Sequence, residues 1–105
     1  MLVLTLSGQL TEDCEKKQDK RGHDYIKFTV SVTDTDIYGK PVTILFRCYC
    51  YNMQYDDLKK YDMVFISGAF KMNRYGDKMN LDVHVQHISR GQNIPGRNEE
   101  KSDLT

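Results

Sequence analysis

The sequence predicts an all-β domain, a small barrel of five strands with a short helix between the third and the fourth. Five segments alternate apolar and polar residues with a period of two, each bounded by turn residues or charge clusters. At 105 residues the chain has room for one domain. A chain of this size buries roughly two thirds of the surface its unfolded form exposes, enough for a core without disulfide or metal.

The first segment, Leu2 to Leu10, sets Leu2, Leu4 and Leu6 on one side and Val3, Thr5 and Ser7 on the other. Gly8 interrupts it, which predicts a bulge or sharp bend where one strand serves both sides of a barrel. Thr11 to Asp24 then forms a long polar loop mixing Lys16, Lys17, Lys20 and Arg21 with Glu12, Asp13, Glu15 and Asp19, and its length marks it as functional or disordered. The second segment, Tyr25 to Thr33, alternates most cleanly: Ile26, Phe28, Val30 and Val32 face in, while Tyr25, Lys27, Thr29, Ser31 and Thr33 face out.

A turn at Tyr38-Gly39-Lys40-Pro41 leads into the third segment, Val42 to Tyr51. The short helix is expected next. Asn52 caps it, Asp56 and Asp57 sit toward its positive end, Lys59 and Lys60 toward its negative end, and Leu58 with Tyr55 or Tyr61 supplies its buried patch. The fourth segment, Met63 to Met72, puts Val64, Ile66, Gly68 and Phe70 inward and Phe65, Ser67, Ala69 and Lys71 outward. Asn73 to Lys78 reads as a hairpin turn into the fifth, Met79 to Ile88, with Leu81, Val83 and Val85 inward. The pattern stops after Arg90-Gly91, so the domain is expected over 1–91 and a flexible tail over 92–105, with a Pro95-Gly96 break.

The 15 basic and 15 acidic side chains cancel, so no overall basic excess announces a nucleic-acid binder and any basic site must be local. Cys14, Cys48 and Cys50 make an odd number. The apolar opening Met1 to Leu6 has no charged leader and is too short to cross a membrane. A reducing cytoplasmic location is therefore expected, with no membrane partner.

The run Arg47-Cys48-Tyr49-Cys50-Tyr51 carries the most functional information. Alternation turns Cys48 and Cys50 inward with Ile44 and Phe46, and aligns Arg47, Tyr49 and Tyr51 outward beside Leu45. Phenol rings stack on bases and arginine meets phosphate, so this face suits a nucleic acid strand; a solvent-side strand, or one packed on another subunit, is the plain alternative. The loop cations Lys16, Lys17, Lys20 and Arg21 are nearly cancelled by neighbouring acids and read, on their own, as solvated surface.

Cys48, Cys50, His84 and His87 are the right types for a metal site, but the cysteines lie two apart on an inward face and the histidines differ by an odd step, which predicts opposite faces. No metal and no cofactor are expected. Catalysis finds no support either: there is no phosphate-binding loop or nucleophile elbow, His23 has no nucleophile beside it, and Asp34 and Asp36 read as turn residues.

Three strands, a short helix and two strands is the element order of an OB-fold, a barrel whose second and third strands and two long loops bind nucleic acids or oligosaccharides. Ser7-Gly8-Gln9-Leu10, with the stretch from Leu58-Lys59-Lys60 through Val64-Phe65-Ile66-Ser67-Gly68, resembles the bacterial single-stranded DNA-binding protein family, and the resemblance covers roughly Leu2 to Gly91. It implies a non-enzymatic protein that binds single-stranded DNA with little sequence preference, in replication, recombination or repair, as a homo-oligomer, a dimer or tetramer.

Carried over position by position, Arg47 matches an arginine of the third strand, Tyr51 an aromatic that stacks on bases, and Tyr75 an aromatic of the last hairpin. Leu45 stands where the family usually has a stacking tryptophan and Asp36 falls near another, with Tyr38 two residues on as a substitute; this chain has no tryptophan. Affinity per domain is expected to be lower, each lost stack being worth roughly 1–3 kcal/mol. The expected stacking residues are Tyr51, Tyr49 and Tyr75, then Tyr38 and Phe65. The expected phosphate contacts are Arg47, Lys27, Lys71, Arg74 and Lys78. The chain ends Asp103-Leu104-Thr105, without the acidic, phenylalanine-terminated tip by which family members recruit replication proteins. This brevity resembles a small primosomal protein of the same fold or a phage accessory form, whose tyrosine face would be mainly a protein interface.

Overall fold

The computed structural model describes residues 1–91 and contains six strands: β1 (Leu2–Leu10), β2 (Glu15–Gln18), β3 (Asp24–Thr35), β4 (Pro41–Cys50), β5 (Met63–Tyr75) and β6 (Lys78–Arg90). They form one sheet of order β1-β5-β6-β4-β3-β2. A second pairing of β1, Gln9 with Ser31 and Leu10 with Val30, closes the sheet into a five-stranded barrel and leaves β2 as a flap on β3. β4 and β6 run parallel, while the other pairs are antiparallel. This is the OB barrel that the element order predicts.

The period-two pattern explains the core. Ile26, Phe28 and Val30 of β3, Cys48 and Cys50 of β4, Val64 and Ile66 of β5, and Val83 of β6 all point into the barrel and are buried. Leu6 and Leu10 of β1 and Leu58 of the β4–β5 connection complete the cluster. At Gly8 the alternation continues with no shift of register against β5. The bend is there without a bulge: a Cβ at Gly8 would lie 2.3 Å from the Ser31 carbonyl oxygen, so only glycine lets β1 swing from β5 onto β3.

Three expectations about connections are corrected. The stretch Thr11 to Asp24 is not a structureless loop: Glu15–Gln18 pairs with Asp24 to Lys27 as β2, an all-polar edge strand whose pattern carries no apolar alternation to reveal it. The expected helix is a single 3-10 turn, Met53–Tyr55, and with β2 counted it lies between β4 and β5. Asn52 caps it by accepting the Gln54 N–H at 3.0 Å, but Asp56, Asp57, Lys59 and Lys60 fall outside the turn, so no helix dipole organises them. Leu58 is buried and Tyr55 packs on the core, whereas Tyr61 is exposed. The last hairpin is tighter than expected: Tyr75 pairs with Lys78, leaving only Gly76-Asp77 as the turn.

Against β5, β6 shifts register between Ser67 and Gly68, which pair with His87 and Val85 and leave Gln86 without a partner. This extra residue reverses the expected parity. His84 pairs with Ala69 and His87 with Ser67, two residues of the same β5 face, so both histidines lie on the outer surface rather than on opposite faces. The expected tail, Gln92 to Thr105, lies outside the described residues.

Candidate nucleic-acid interface

The outer face of β3, β4 and β6 is organised by cross-strand register. Lys27, Tyr49 and His84 lie in one row across β3, β4 and β6, and Thr29, Arg47 and Asp82 in the next, with Lys71 of β5 extending it. Tyr25 sits one row beyond Lys27 on the same face. Four rings consequently form one track: Tyr51 to Tyr25 at 5.3 Å between centroids, Tyr25 to Tyr49 at 6.3 Å, and Tyr49 to His84 at 5.4 Å and 22° from parallel. Lys27 places its ammonium 6.0 Å from the Tyr49 ring centre.

Tyr51 is 53% exposed and its hydroxyl donates to Asp19 at 3.0 Å. The same carboxylate accepts the backbone N–H groups of Arg21 and His23, both at 2.9 Å, and so ties the β2–β3 turn to the end of the ring track. The backbone bond from His23 foremost holds the Asp19 carboxyl below its usual range, and the bond to Asp19 pushes the Tyr51 hydroxyl up. Lys20 and Arg21 ride on this turn with no ion pair among the described residues, whereas Lys16 pairs with Asp56 and Lys17 with Glu15.

Arg47 is committed to another group. Its Nε and one terminal nitrogen donate to the two Asp82 oxygens at 2.7 and 3.0 Å, and Asn73 donates to the same carboxylate. Asp82 is only 4% exposed although it lies on the outer face, because these side chains cover it. Burial pushes its carboxyl up, but the bonds from Arg47 and Asn73 outweigh burial and hold it below the usual range. Arg47 remains 30% exposed and keeps N–H groups beyond those two bonds.

The other expected site residues divide. Tyr75, 65% exposed, pairs with Lys78, so both share the face that carries Lys71. Arg74 pairs with Met79 and has the opposite parity, on the other face of that hairpin. Tyr38, 80% exposed, occupies the tip of the β3–β4 hairpin, far along the strands from Tyr51. Phe65 pairs with Ser7 and Ser89 on the β1–β5–β6 wall, away from the ring track. Leu45, opposite Ser31, is exposed but adds no ring.

Tyr25, His84 and Asp82 are the residues that strand-by-strand reading does not single out. Alternation does set all three outward, but only the register sum that aligns β3 with β4 brings Tyr25 against Tyr51, and only the parallel β4–β6 pair brings His84 and Asp82 beside Tyr49 and Arg47. The cysteines stay apart from this surface. Cys48 and Cys50 are buried in the barrel, and burial pushes the Cys48 thiol up to about 12, so it packs as a small hydrophobe.

No protein-family model matches the sequence, and no curated protein does. The fold does match solved structures. A small single-stranded DNA-binding protein from Streptomyces coelicolor aligns over 86% of this chain and 92% of its own, with a TM-score of 0.70 at 15% identity. The Plasmodium falciparum SSB in complex with single-stranded DNA aligns over 88% of this chain and 96% of its own, with a TM-score of 0.70 at 14% identity. The chain has the fold of the single-stranded DNA-binding proteins. A deletion variant of the single-stranded DNA-binding protein from Thermus aquaticus shares this barrel at a TM-score of 0.65 and 18% identity, over 88% of this chain but about half, 51%, of that one. At these identities the likeness is one of fold, the barrel itself. No helix among the described residues is long and apolar enough to cross a membrane.

Proposed function

We propose that this protein binds single-stranded DNA with little sequence preference, stacking bases on its ring track and holding phosphates with the lysines around it. The observation that carries this reading is the continuity of Tyr51, Tyr25, Tyr49 and His84 across three strands of an OB barrel. Every base has a π-face, so such a track accepts any sequence, while Lys27, Lys71 and Lys78 form no ion pair among the described residues and are free to meet phosphates. Tyr75 adds a ring from the β5–β6 hairpin, and Tyr38 and Arg74 extend the path only if the strand wraps past the hairpin tips. Phe65 belongs to a longer path around the barrel.

The role is binding rather than catalysis, in replication, recombination or repair and in the cytoplasm, where the three free cysteines stay reduced. Few stacks per domain make assembly advantageous. A homo-oligomer is supported by β1, which pairs with β5 along one edge from Leu2 to Gln9 but meets β3 only at its last two residues, and by exposed Leu2 and Val3 on that strand.

Fluorescence anisotropy with a labelled oligothymidine, at low and moderate salt and with unlabelled duplex as competitor, tests this directly. Salt-sensitive binding that duplex does not displace is expected. Absence of binding at low salt would leave the tyrosine face as a surface for a protein partner.

A further inference from the structure

We infer that His84 makes strand binding sensitive to pH: its imidazole takes up a proton as the strand binds, so mild acid tightens the complex. This rests on the single-stranded DNA reading and deepens it by naming what regulates the site. The chain's 15 basic and 15 acidic side chains cancel with its 3 histidines neutral, so the histidines are the side chains that give it positive charge as pH falls toward about 5.5. The barrel gathers them on or beside the strand face. His84 is exposed and ends the ring track on Tyr49, at 5.4 Å and 22° from parallel. His87 lies on the same outer surface, and His23 stands at the other end of the track, beside the Asp19 carboxylate that holds Tyr51.

The surroundings single out His84 among the three. In its own row stand Tyr49 of β4, Lys27 of β3 beyond it, and the uncharged Ala69 of β5. The next row carries Arg47, Asp82 and Lys71. Asp82 is the one carboxylate in these two rows, and it is already neutralised by Arg47, with Asn73 donating to it as well. A proton on His84 therefore adds a full cation to the row, near Lys27 and Lys71. His23 differs, because its Nδ1 lies 3.5 Å from the Asp19 carboxylate and that anion offsets its charge. His87 stands past the bulge, outside the ring track. A phosphate laid over Tyr49 favours the imidazolium of His84, and by linkage whatever favours the proton favours the strand. The charged ring also gains from the electron-rich face of Tyr49. A neutral imidazole still offers a flat face, so the site works at both pH values and differs in strength.

The test is anisotropy titration of a labelled oligothymidine at about pH 8 and about pH 5.5, over a range of salt, with the wild-type chain, His84→Phe and His84→Arg. Thymine and the phosphodiesters do not titrate in this window, and the carboxylates of the fold keep their charge because they titrate near or below about pH 4. The wild type is expected to bind about fivefold tighter at the acid pH. Its slope of log affinity against log salt should steepen there by about 0.7, the value for one phosphate. His84→Phe keeps a ring on Tyr49 but takes no proton, and His84→Arg carries its charge at both pH values. The acid-to-neutral ratio should fall below about twofold in both variants, taken within each so that a general loss of affinity cancels. Equal binding by the wild type at the two pH values overturns the switch and leaves the strand-binding reading in place. A ratio that survives in His84→Phe also overturns it, placing the proton on His23 or His87. No binding by the wild type at either pH overturns both readings.

Discussion

Arg47 and Asp82 face each other across the one parallel strand pair of the barrel and share two hydrogen bonds, at 2.7 and 3.0 Å. The residue that sequence motifs assign to a phosphate is thus already neutralising a buried carboxylate. Arg47→Ala leaves that carboxylate covered and without its cation, and is expected to lower stability by about 2 kcal/mol. This is less than for a fully buried pair, because Arg47 is partly open to solvent. Urea unfolding of both proteins checks this. An unchanged midpoint would show that Asp82 is not held by the pair, and any loss of DNA affinity in Arg47→Ala has to be read against its stability.

The same pair makes stability depend on acid pH. The folded Asp82 carboxyl lies below its usual range, since burial raises it but the bonds from Arg47 and Asn73 win. The unfolded chain therefore takes up the proton first as pH falls. The stabilisation is complete above the unfolded value of about 4 and is lost as pH drops through the folded one. Asp19 and Asp57 are depressed too and act in the same direction. Melting temperature should accordingly fall more steeply below about pH 4 in the wild type than in Asp82→Asn, and parallel curves would remove Asp82 from the acid transition.

The ring track predicts an ordering of aromatic substitutions. Tyr25 packs against both Tyr51 and Tyr49, so Tyr25→Ala is expected to weaken strand binding by roughly 1–3 kcal/mol, the same loss expected of Tyr49→Ala, although Tyr25 stands on a different strand. Tyr51→Phe keeps its ring and loses only the bond to Asp19, so its affinity should stay within about twofold of the wild type while Tyr51→Ala follows the others. Anisotropy titrations of the four variants separate stacking from the hydroxyl contact. Wild-type affinity in Tyr25→Ala would break the track.

Salt dependence sorts the lysines. Replacing Lys27, Lys71 or Lys78 by alanine should each reduce the slope of log affinity against log salt by about 0.7, the value for one phosphate of a single strand. Lys16→Ala should change the slope less, because Lys16 is engaged with Asp56 at 3.2 Å. Equal slopes across all four variants would move the phosphate path off this face.

Gly68 ties the barrel to the site. A Cβ there would lie 2.2 Å from the carbonyl oxygen of His84, on the strand next to the bulge. Gly68→Ala must push β6 away, and a loss on the order of 3 kcal/mol is expected in thermal or urea unfolding. A fully stable variant would show that β5 and β6 are not so closely apposed.

Much of this was legible from period-two alternation, which depends only on neighbours along the chain. Ile26, Phe28 and Val30 bury as their spacing requires, and so do Val64 and Ile66. The same alternation aligns Tyr49 and Tyr51 on the outer face. β2 was not legible, because Glu15–Gln18 is polar on both sides and owes its pairing to the neighbouring edge of β3. The helix shrank to one 3-10 turn because the chain between Cys50 and Met63 is held by Leu58 in the core and by the cap at Asn52, not by a run of helical bonds.

By itself, then, the sequence determined which residues face the barrel interior and which face out wherever a strand runs without a bulge, since side-chain parity is a local property of an extended chain, and it failed beyond Gln86 of β6. It did not determine what those outward residues meet. The tertiary structure decided that Arg47 faces Asp82, that Tyr25 bridges Tyr51 and Tyr49, and that one unpaired residue, Gln86, turns His84 and His87 to the same side. Each is a matter of register between strands distant in the chain, and register is set by closing the barrel as a whole.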